Sequence, residues 1–362
     1  MPLKTTNTYS DPKLAKSLLK EINKFDKDIS LMEVCGTHTV QIFKTGIKSG
    51  LNKNIHLLSG PGCPVCVTSI EDIDKAIEIA ATKDAILCCF GDMVNVPGSH
   101  TNLAKAKGER SAHVKMMYSP LEALEVAKNN PNKLVVMFGV GFETTIPAFA
   151  SVLVRAREQK IKNLFIFPVF KLIPPAIRTL LESREVNIDG FILPGHVSVV
   201  IGTKPYQFIV DEFKRPAVVT GFETIDILDA ILWLIDMKKK DQPKVTIEYD
   251  SSVDISGNKL AKDLIYKVFK EADVKWRGLG EIKGSGLKLK DEFKSFDVDS
   301  VLDIKVKTAQ DNPKCLCANV IKGVNTPLDC KLFKEVCKPG NPIGPCMVSS
   351  EGTCAAYYKY GD

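Results

Sequence analysis

The sequence of 362 residues lacks several features that would assign it to common protein classes. It has no apolar run of about 18 residues, the length that a membrane-spanning helix needs, and no GxxxxGK[ST] phosphate-binding loop. Its 49 basic and 43 acidic residues leave a net charge of only +6, spread along the chain. The sequence therefore predicts no membrane span, gives little support to nucleotide hydrolysis, and makes nucleic-acid binding a weak hypothesis.

The first residues, MPLKTTNTYSDPKLAK, are polar and lack the apolar segment of a signal peptide. We therefore expect a cytoplasmic protein, in which thiols stay reduced. This expectation matters because the chain contains 11 cysteines, and six of them lie after residue 314. A reduced cysteine cluster in a large intracellular protein is more often metal-binding or catalytic than a disulfide scaffold.

Four cysteines of the tail are candidate ligands of one metal group: Cys315, Cys330, Cys337 and Cys354. They are separated by 14, 6 and 16 residues. Four thiolates can hold a structural zinc ion or an iron–sulfur cluster. Zinc sites usually contain paired CxxC knuckles, which the tail lacks, so the spacing favours an iron–sulfur cluster over zinc and over free or disulfide-bonded cysteines. Cys317 is an alternative first ligand, and we interpret Cys346 as a spare thiol.

Short apolar runs rich in β-branched residues recur along the chain, and each stops at a turn that contains glycine or proline. These predicted strands are residues 29–34, 55–59, 85–90, 134–138, 164–169, 191–193 and 217–220. Helical patterns lie between them at residues 70–81, 121–127, 146–157 and 225–237. The alternation predicts an α/β fold with parallel sheets covered on both faces. The active crevice of such sheets lies beyond the carboxyl ends of the strands, where most of the unusual polar motifs fall.

The string GFET occurs at residues 141–144 and again at 221–224, each time between a predicted strand and a predicted helix. This echo suggests equivalent turns in two similar units. The pattern breaks near residues 238–244, after which we expect a strand at 245–249, a helix at 258–271 and a glycine-rich stretch. We therefore predict two similar parallel-sheet α/β domains, at residues 30–130 and 131–240. A third domain, at residues 241–362, would carry the cluster and include residues 1–29, with a helix at 12–25.

A second group of thiols lies nearer the N-terminus. Cys35 and His38 follow the first predicted strand, whereas Cys63 and Cys66 form a CxxC between the second strand and a helix. Amide dipoles at such a position lower the pKa of a thiol, and two thiols can close a disulfide or hold one metal. Three soft thiolates in one crevice suit iron or zinc and leave a coordination position open. The alternative for Cys35 is a buried core thiol.

Glu143 and His196 also follow predicted strands, in the motifs GFETT and PGHVS. An imidazole titrates close to neutral pH, so His196 is a candidate proton carrier. Glu143 is a second candidate, either as a proton carrier or as a hydrogen-bond acceptor. Its alternative role is a carboxylate that caps the following helix through the first-turn amides.

Six motifs span the chain from about residue 29 to residue 360: MEVCGTHT, GPGCPVC, GFETT, PGHVS, WRGLG and CMVSSEGTCAAYY. Together they resemble the HypD family of hydrogenase maturation factors, with no departure at any motif residue. The resemblance implies a scaffold that helps to build the Fe(CN)2CO group of nickel–iron hydrogenases. It also implies that the protein binds the small partner HypC and receives cyanide from the HypE/HypF system. The hydrogenase large subunit would be an indirect partner. It also implies two similar α/β domains and a third domain with a 4Fe–4S cluster.

The resemblance also assigns residues to these roles. The family's cluster spacing, CX14CX6CX16C, selects the four tail cysteines Cys315, Cys330, Cys337 and Cys354. The iron-site cysteines of the family map onto Cys35, Cys63 and Cys66, and Thr37 and His38 complete its GTHT motif.

These inferences combine into one mechanistic hypothesis. Cys35 helps to hold a low-spin iron while diatomic ligands are attached, and Cys63 and Cys66 cycle between dithiol and disulfide or also touch the iron. The tail cluster supplies electrons to that pair, and Glu143 and His196 manage protons. The main alternative is a cluster-dependent thiol–disulfide oxidoreductase that acts through Cys63 and Cys66. A zinc-stabilised binding module is a third hypothesis.

Overall fold

The computed structural model describes residues 11–361. Within them the strands are β1 (Ile29–Glu33), β2 (Ile55–Ser59), β3 (Ala85–Cys89), β4 (Val114–Met116), β5 (Leu134–Gly139), β6 (Leu164–Pro168), β7 (Gly190–Pro194), β8 (Ala217–Thr220), β9 (Val245–Ile247), β10 (Phe269–Trp276) and β11 (Gly280–Leu289). Seven of these strands lie where the apolar runs predicted them, with ends that differ by one residue at most.

Over the same residues the α-helices are α1 (Pro12–Ile22), α2 (Gly36–Lys44), α3 (Ile47–Gly50), α4 (Pro64–Val67), α5 (Ile70–Ala81), α6 (Leu103–Glu109), α7 (Pro120–Asn129), α8 (Ile146–Glu158), α9 (Ile173–Ser183), α10 (Gly195–Ile201), α11 (Phe208–Asp211), α12 (Thr224–Lys240), α13 (Lys259–Val268), α14 (Cys317–Ile321) and α15 (Thr353–Tyr360). In this part of the chain no helix is both long and apolar enough to cross a membrane.

The first sheet has five strands in the order β2–β1–β7–β8–β9, and all neighbouring strands are parallel. β7 and β8 are buried along their whole length, as expected for strands that helices cover on both faces. β1 pairs with both β2 and β7, so the carboxyl ends of these three strands lie at one edge. The turns that contain Cys35, Cys63 and His196 leave the sheet at that edge.

The second sheet has four strands in the order β4–β3–β5–β6, and it is also parallel throughout. The predicted parallel α/β class is therefore confirmed in both sheets. Both GFET strings lie between a strand and a helix, one after β5 and before α8 and the other after β8 at the start of α12, and the two strands belong to different sheets.

The sheets do not follow the predicted division of the chain. The boundary expected at residues 130 and 131 falls between β4 and β5, which belong to the same sheet. Strand β9, expected in a third domain over residues 241–362, is the edge strand of the first sheet. The reason is that parallel strands pair through long crossovers, so neighbours in a sheet need not be neighbours in sequence. The chain leaves the first sheet after β2, builds the second sheet and returns with β7.

The region after residue 258 also departs from the prediction. The helix expected over residues 258–271 ends at Val268, and the chain continues as an antiparallel hairpin of β10 and β11. Lys270 and Glu271 are good helix formers, but the alternating burial of β10 between Phe269 and Trp276 outweighs that local preference. Similarly, the helix expected at residues 12–25 ends at Ile22.

The cysteine tail has little regular structure and returns to the first sheet. Helix α15 packs on α2, where the rings of Phe43 and Tyr357 are 4.2 Å apart between centroids. The Lys48 ammonium group lies 4.6 Å from the centroid of the Tyr357 ring. This packing brings the start of α15 beside the turn that follows β1, at the edge where the polar motifs gather.

Candidate thiol and metal site

Cys35 lies between the end of β1 and the first residue of α2, in an extended backbone conformation. Its amide donates a hydrogen bond to Glu33 Oε2 at 2.9 Å, and Thr39 Oγ1 donates to Glu33 Oε1 at 2.5 Å. Burial raises the pKa of Glu33 to about 8, although the hydrogen bond from Thr39 acts in the opposite direction. Glu33 therefore fixes the backbone at Cys35 from within the first sheet.

The loop that carries the CxxC lies directly against the Cys35 turn. β1 and β2 are parallel with Glu33 opposite Ser59, so both loops leave the sheet at the same level. The Gly36 amide donates to the Gly62 carbonyl at 3.0 Å. A β-carbon added at Gly62 would lie 2.2 Å from the Cys35 nitrogen, so only glycine permits this approach. The structure thus brings together the two loops that the sequence placed at neighbouring strand ends.

The three thiols at this edge differ in exposure. Cys35 is partly exposed, whereas Cys63 and Cys66 are buried, and the Cys66 amide donates to Cys63 Sγ at 3.3 Å. Burial raises the pKa of Cys35 to about 12 and that of Cys66 well above its usual value. For Cys66 of the CxxC this direction is opposite to the expected lowering, and desolvation is its largest cause. At Cys35, desolvation likewise outweighs the hydrogen bonds from the backbone amides of His38 and Thr37.

His38 is buried in the first turn of α2 and connects it to the second GFET turn. Its Nε2 lies 2.8 Å from the Gly221 carbonyl, which can only accept, so Nε2 carries the proton. Burial lowers the pKa of His38 to about 4, and the neutral ring therefore has a bare Nδ1, which makes no hydrogen bond. Phe222 stacks between His38 and His196, with centroid distances of 4.9 and 4.0 Å. His196 is exposed, and partial burial lowers its pKa.

Glu351 completes this edge from the cysteine tail, and residue-by-residue reasoning missed it. Thr37 Oγ1 donates to Glu351 Oε1 at 2.8 Å, and a β-carbon at Gly36 would lie 2.5 Å from the Glu351 β-carbon. The negative charge of Glu351 acts on both Cys35 and His196. Phe222 was also missed. The motifs GFET and CMVSSEGTC contain the two residues, but no spacing rule connects them to Cys35.

Glu143 caps a different helix from the one expected. Its carboxylate caps α9 rather than the following helix α8, because Oε1 accepts a hydrogen bond from the Ile173 amide at 3.0 Å. Its second oxygen, Oε2, is buried without a hydrogen-bond partner. Burial raises the pKa of Glu143 to about 7.

All six tail cysteines line one small cavity: Cys315, Cys317, Cys330, Cys337, Cys346 and Cys354. The Ile343 amide donates to Cys337 Sγ at 3.4 Å. Gly344 leaves room for a sulfur, because a β-carbon there would lie 2.9 Å from Cys315 Sγ. The irregular loops of the tail therefore gather thiols that are far apart in sequence.

Cys346 is not the spare thiol that we expected. Its sulfur lies 2.7 Å from that of Cys317, a distance longer than the S–S bond of about 2.05 Å. It also lines a second cavity together with Cys63 and Cys66. Cys346 therefore connects the CxxC with the cysteine cavity of the tail.

The tail cavity offers a suitable donor set for a soft metal group. Within residues 11–361, no three histidine, cysteine or acidic side chains already have the arrangement of a metal site. However, six free thiols face one enclosed space, and thiolates are the ligands of both iron–sulfur clusters and structural zinc. The residues fit either group, so the two alternatives from the spacing stay open.

The fold and site define a cysteine-rich α/β protein with two parallel sheets, in which distant thiols meet at the carboxyl edge of one sheet. A family model described as "HypD: Hydrogenase formation hypA family" matches residues 13–361. The chain is 42% identical over 370 residues to the hydrogenase maturation factor HypD2 of Bradyrhizobium diazoefficiens, covering 99% of this chain and 97% of that protein. It is also 42% identical over 336 residues to HypD of Escherichia coli, covering 92% and 90%, respectively. The chain belongs to the HypD family of hydrogenase maturation factors, as its motifs predicted.

Proposed function

We propose that this chain is a scaffold and redox component in the assembly of the Fe(CN)2CO group of nickel–iron hydrogenases. The observation that carries the proposal is a continuous series of thiols between the CxxC and the tail. Cys66 and Cys346 line one cavity, the sulfur atoms of Cys346 and Cys317 are 2.7 Å apart, and Cys317 lines the tail cavity together with Cys315. Since the CxxC loop lies against Cys35, the series leads from the tail cavity to the partly exposed edge.

Iron is the cargo in this proposal, and Cys35 is its first protein ligand. Cys35 is the most accessible of the three thiols, so an incoming iron complex reaches it before Cys63 or Cys66. Its raised pKa of about 12 means that the thiol loses its proton only when a metal stabilises the thiolate.

Cys63 and Cys66 are proposed to alternate between a dithiol and a disulfide. Closing the disulfide converts two S–H groups into one S–S bond and releases two electrons and two protons. The four cysteines of the tail would hold an iron–sulfur cluster, which supplies single-electron transfer when it is bound. Cys346 and Cys317 place protonated thiols between the two groups, because burial and their close neighbours raise the pKa of both.

The proposed partners are a HypC-like small chaperone and HypE as the cyanide donor, with HypF acting upstream and the hydrogenase large subunit served indirectly. We place their contact at the edge formed by Cys35, Thr37 and His196, where the thiol and the imidazole are accessible from outside. Function in the cytoplasm belongs to the same proposal, since reduced thiols suit that compartment.

A direct test compares the wild type with Cys35→Ala after anaerobic purification together with the small partner. We expect iron at the edge site, and infrared bands of bound cyanide and carbon monoxide, in the wild type but not in Cys35→Ala. Cys88→Ala is the control, because Cys88 is a buried thiol in the core of the second sheet. Equal bands in both variants and in the wild type would refute the role of Cys35.

A cluster-dependent thiol–disulfide oxidoreductase is the second candidate function. It is favoured by the direct contact of the CxxC pair, in which the Cys66 amide lies 3.3 Å from Cys63 Sγ. The two functions differ in what Cys35→Ala removes. If that variant kept iron loading and hydrogenase maturation but lost disulfide turnover, the scaffold function would be wrong and the oxidoreductase function would be supported.

A further inference from the structure

A cavity of about 920 Å³, which contains no cysteine, lies between α5, the loop near residues 97–101 and the segment 305–313. Small-molecule sites commonly have volumes of about 300–1,000 Å³, so this cavity is large enough for a metabolite. Arg277 of the WRGLG motif lines it, together with Lys307 and Asp311. None of these side chains has a role in the thiol chemistry proposed above.

Arg277 is a buried cation with unused hydrogen-bonding capacity. Only 4% of the residue is exposed, and its amide donates to the Val67 carbonyl at 2.8 Å, which fixes its backbone. A guanidinium group has five N–H donors. Nε lies 3.2 Å from Asp311 Oδ1, but neither Nε nor Nη1 makes a hydrogen bond of acceptable geometry. Leaving charged donors buried and unsatisfied costs free energy, unless a ligand supplies acceptors.

The other charged groups of the cavity are either paired within the protein or positive. Arg110 forms two hydrogen bonds with Glu78, at 2.6 and 2.8 Å. Asp74 accepts hydrogen bonds from the amide and the hydroxyl of Ser99. Lys307 adds an exposed positive charge at the rim. Two carboxylates of the cavity are therefore already bound, whereas Nε and Nη1 of Arg277 lack a hydrogen-bond partner among the described residues.

We propose that this cavity binds a small organic anion through a phosphate or carboxylate group, with Arg277 as the buried anchor. A guanidinium binds both groups through two parallel N–H···O bonds, which the free donors of Arg277 permit. Asp311 occupies part of this position in the absence of the anion and competes with it. The proposal does not depend on the maturation role, since it uses no residue of the thiol site.

The test uses calorimetric titration of the full chain at fixed ionic strength with inorganic phosphate, ribose 5-phosphate and citrate, and with ribose as a neutral control. We expect submillimolar binding of at least one organic anion and no binding of ribose. Equal affinity for inorganic phosphate and ribose 5-phosphate would identify a free oxyanion as the ligand. If none of the three anions bound to the wild type, the proposal would be overturned.

Three substitutions test the role of the anchor. Arg277→Gln should weaken binding tenfold or more, whereas Asp311→Asn should strengthen it several-fold by removing the competing carboxylate. Arg178→Gln is the control, because it removes an arginine from an exposed ion pair with Glu212 elsewhere on the surface. Lys307→Gln should weaken binding, because it removes a positive charge from the rim. If Arg277→Gln did not fold, stronger binding by Asp311→Asn and weaker binding by Lys307→Gln would still test the proposal. Unchanged affinity in both of these, or in a folded Arg277→Gln, would refute the assignment.

Discussion

The closest backbone approach at the proposed iron site can be tested with a single methyl group. In Gly62→Ala, the new β-carbon would lie 2.2 Å from the Cys35 nitrogen, 2.4 Å from its α-carbon and 2.5 Å from the Val34 carbonyl carbon. All three are backbone atoms, so no rotation of a side chain relieves the contact. The two loops must separate by about 1 Å to reach ordinary van der Waals distance.

The expected cost has two parts. Overpacking of a tightly packed site costs about 1–3 kcal/mol. Separation of the loops also lengthens the hydrogen bond from Gly36 to Gly62, now 3.0 Å, and such a bond contributes about 0.5–1.5 kcal/mol. We therefore expect Gly62→Ala to lower the free energy of unfolding by about 2–4 kcal/mol. The variant should also lose iron from the edge site, because Cys35 moves away from the CxxC.

Gly108→Ala provides the matched control. Gly108 lies in α6 with no atom within 4 Å of an added β-carbon, so alanine there should stabilise the protein by about 0.5–1 kcal/mol. Urea unfolding followed by circular dichroism measures both variants, and iron analysis follows on the folded samples. If Gly62→Ala unfolded within about 0.5 kcal/mol of the wild type and kept its iron, the close approach of the two loops would be wrong.

Three further predictions concern single side chains. The pKa of Glu143 rises from 4.5 to about 7 on folding, so its contribution to stability is complete below pH 4.5 and is lost as the pH rises through 7. Between pH 5 and pH 8, the free energy of unfolding of Glu143→Gln should therefore rise by on the order of 3 kcal/mol relative to that of the wild type. Denaturant unfolding at the two pH values measures this change, and an equal difference between the two proteins at both pH values would contradict the prediction. Cys346→Ser should slow reduction of the CxxC disulfide at least tenfold without loss of tail iron, while Cys88→Ser should not; equal rates in a stopped-flow assay would refute the thiol series. Cys315→Ser should abolish the visible absorption of the tail cluster and Cys317→Ser should preserve it; the reverse result would make Cys317 the ligand.

Much of the first sheet was predictable because its strands are short apolar runs that end at glycine-containing turns. β2 and β8 begin and end at the predicted residues, and so does α5, whose apolar residues recur at helical spacing. The approach of Cys35 and Cys63 follows from the same logic, since parallel strands end at one edge. By contrast, no local pattern shows that β1 pairs with β7, about 160 residues later, so that one sheet contains strands from both predicted domains.

The cysteine tail makes long-range contacts that could not be predicted from the sequence. Its cysteine spacing indicated a shared site, but the cavity that Cys346 shares with Cys66 depends on how irregular loops fold back over the first sheet. Glu351 reaches Thr37 across more than 300 residues for the same reason. The hairpin after Val268 was missed because its lysines and glutamates favour a helix locally, whereas the packing of alternate residues decides the structure.

In the proposed function, Cys35 holds the iron cargo, the CxxC beside it is the redox pair, and the tail cysteines hold a separate metal group. Iron analysis and infrared spectroscopy of the anaerobic complex with the small partner test it most directly. We predict that Cys35→Ala loses the cyanide and carbonyl bands but keeps the visible absorption and iron of the tail. Retention of both bands in that variant, or simultaneous loss of the tail absorption, would contradict the claim.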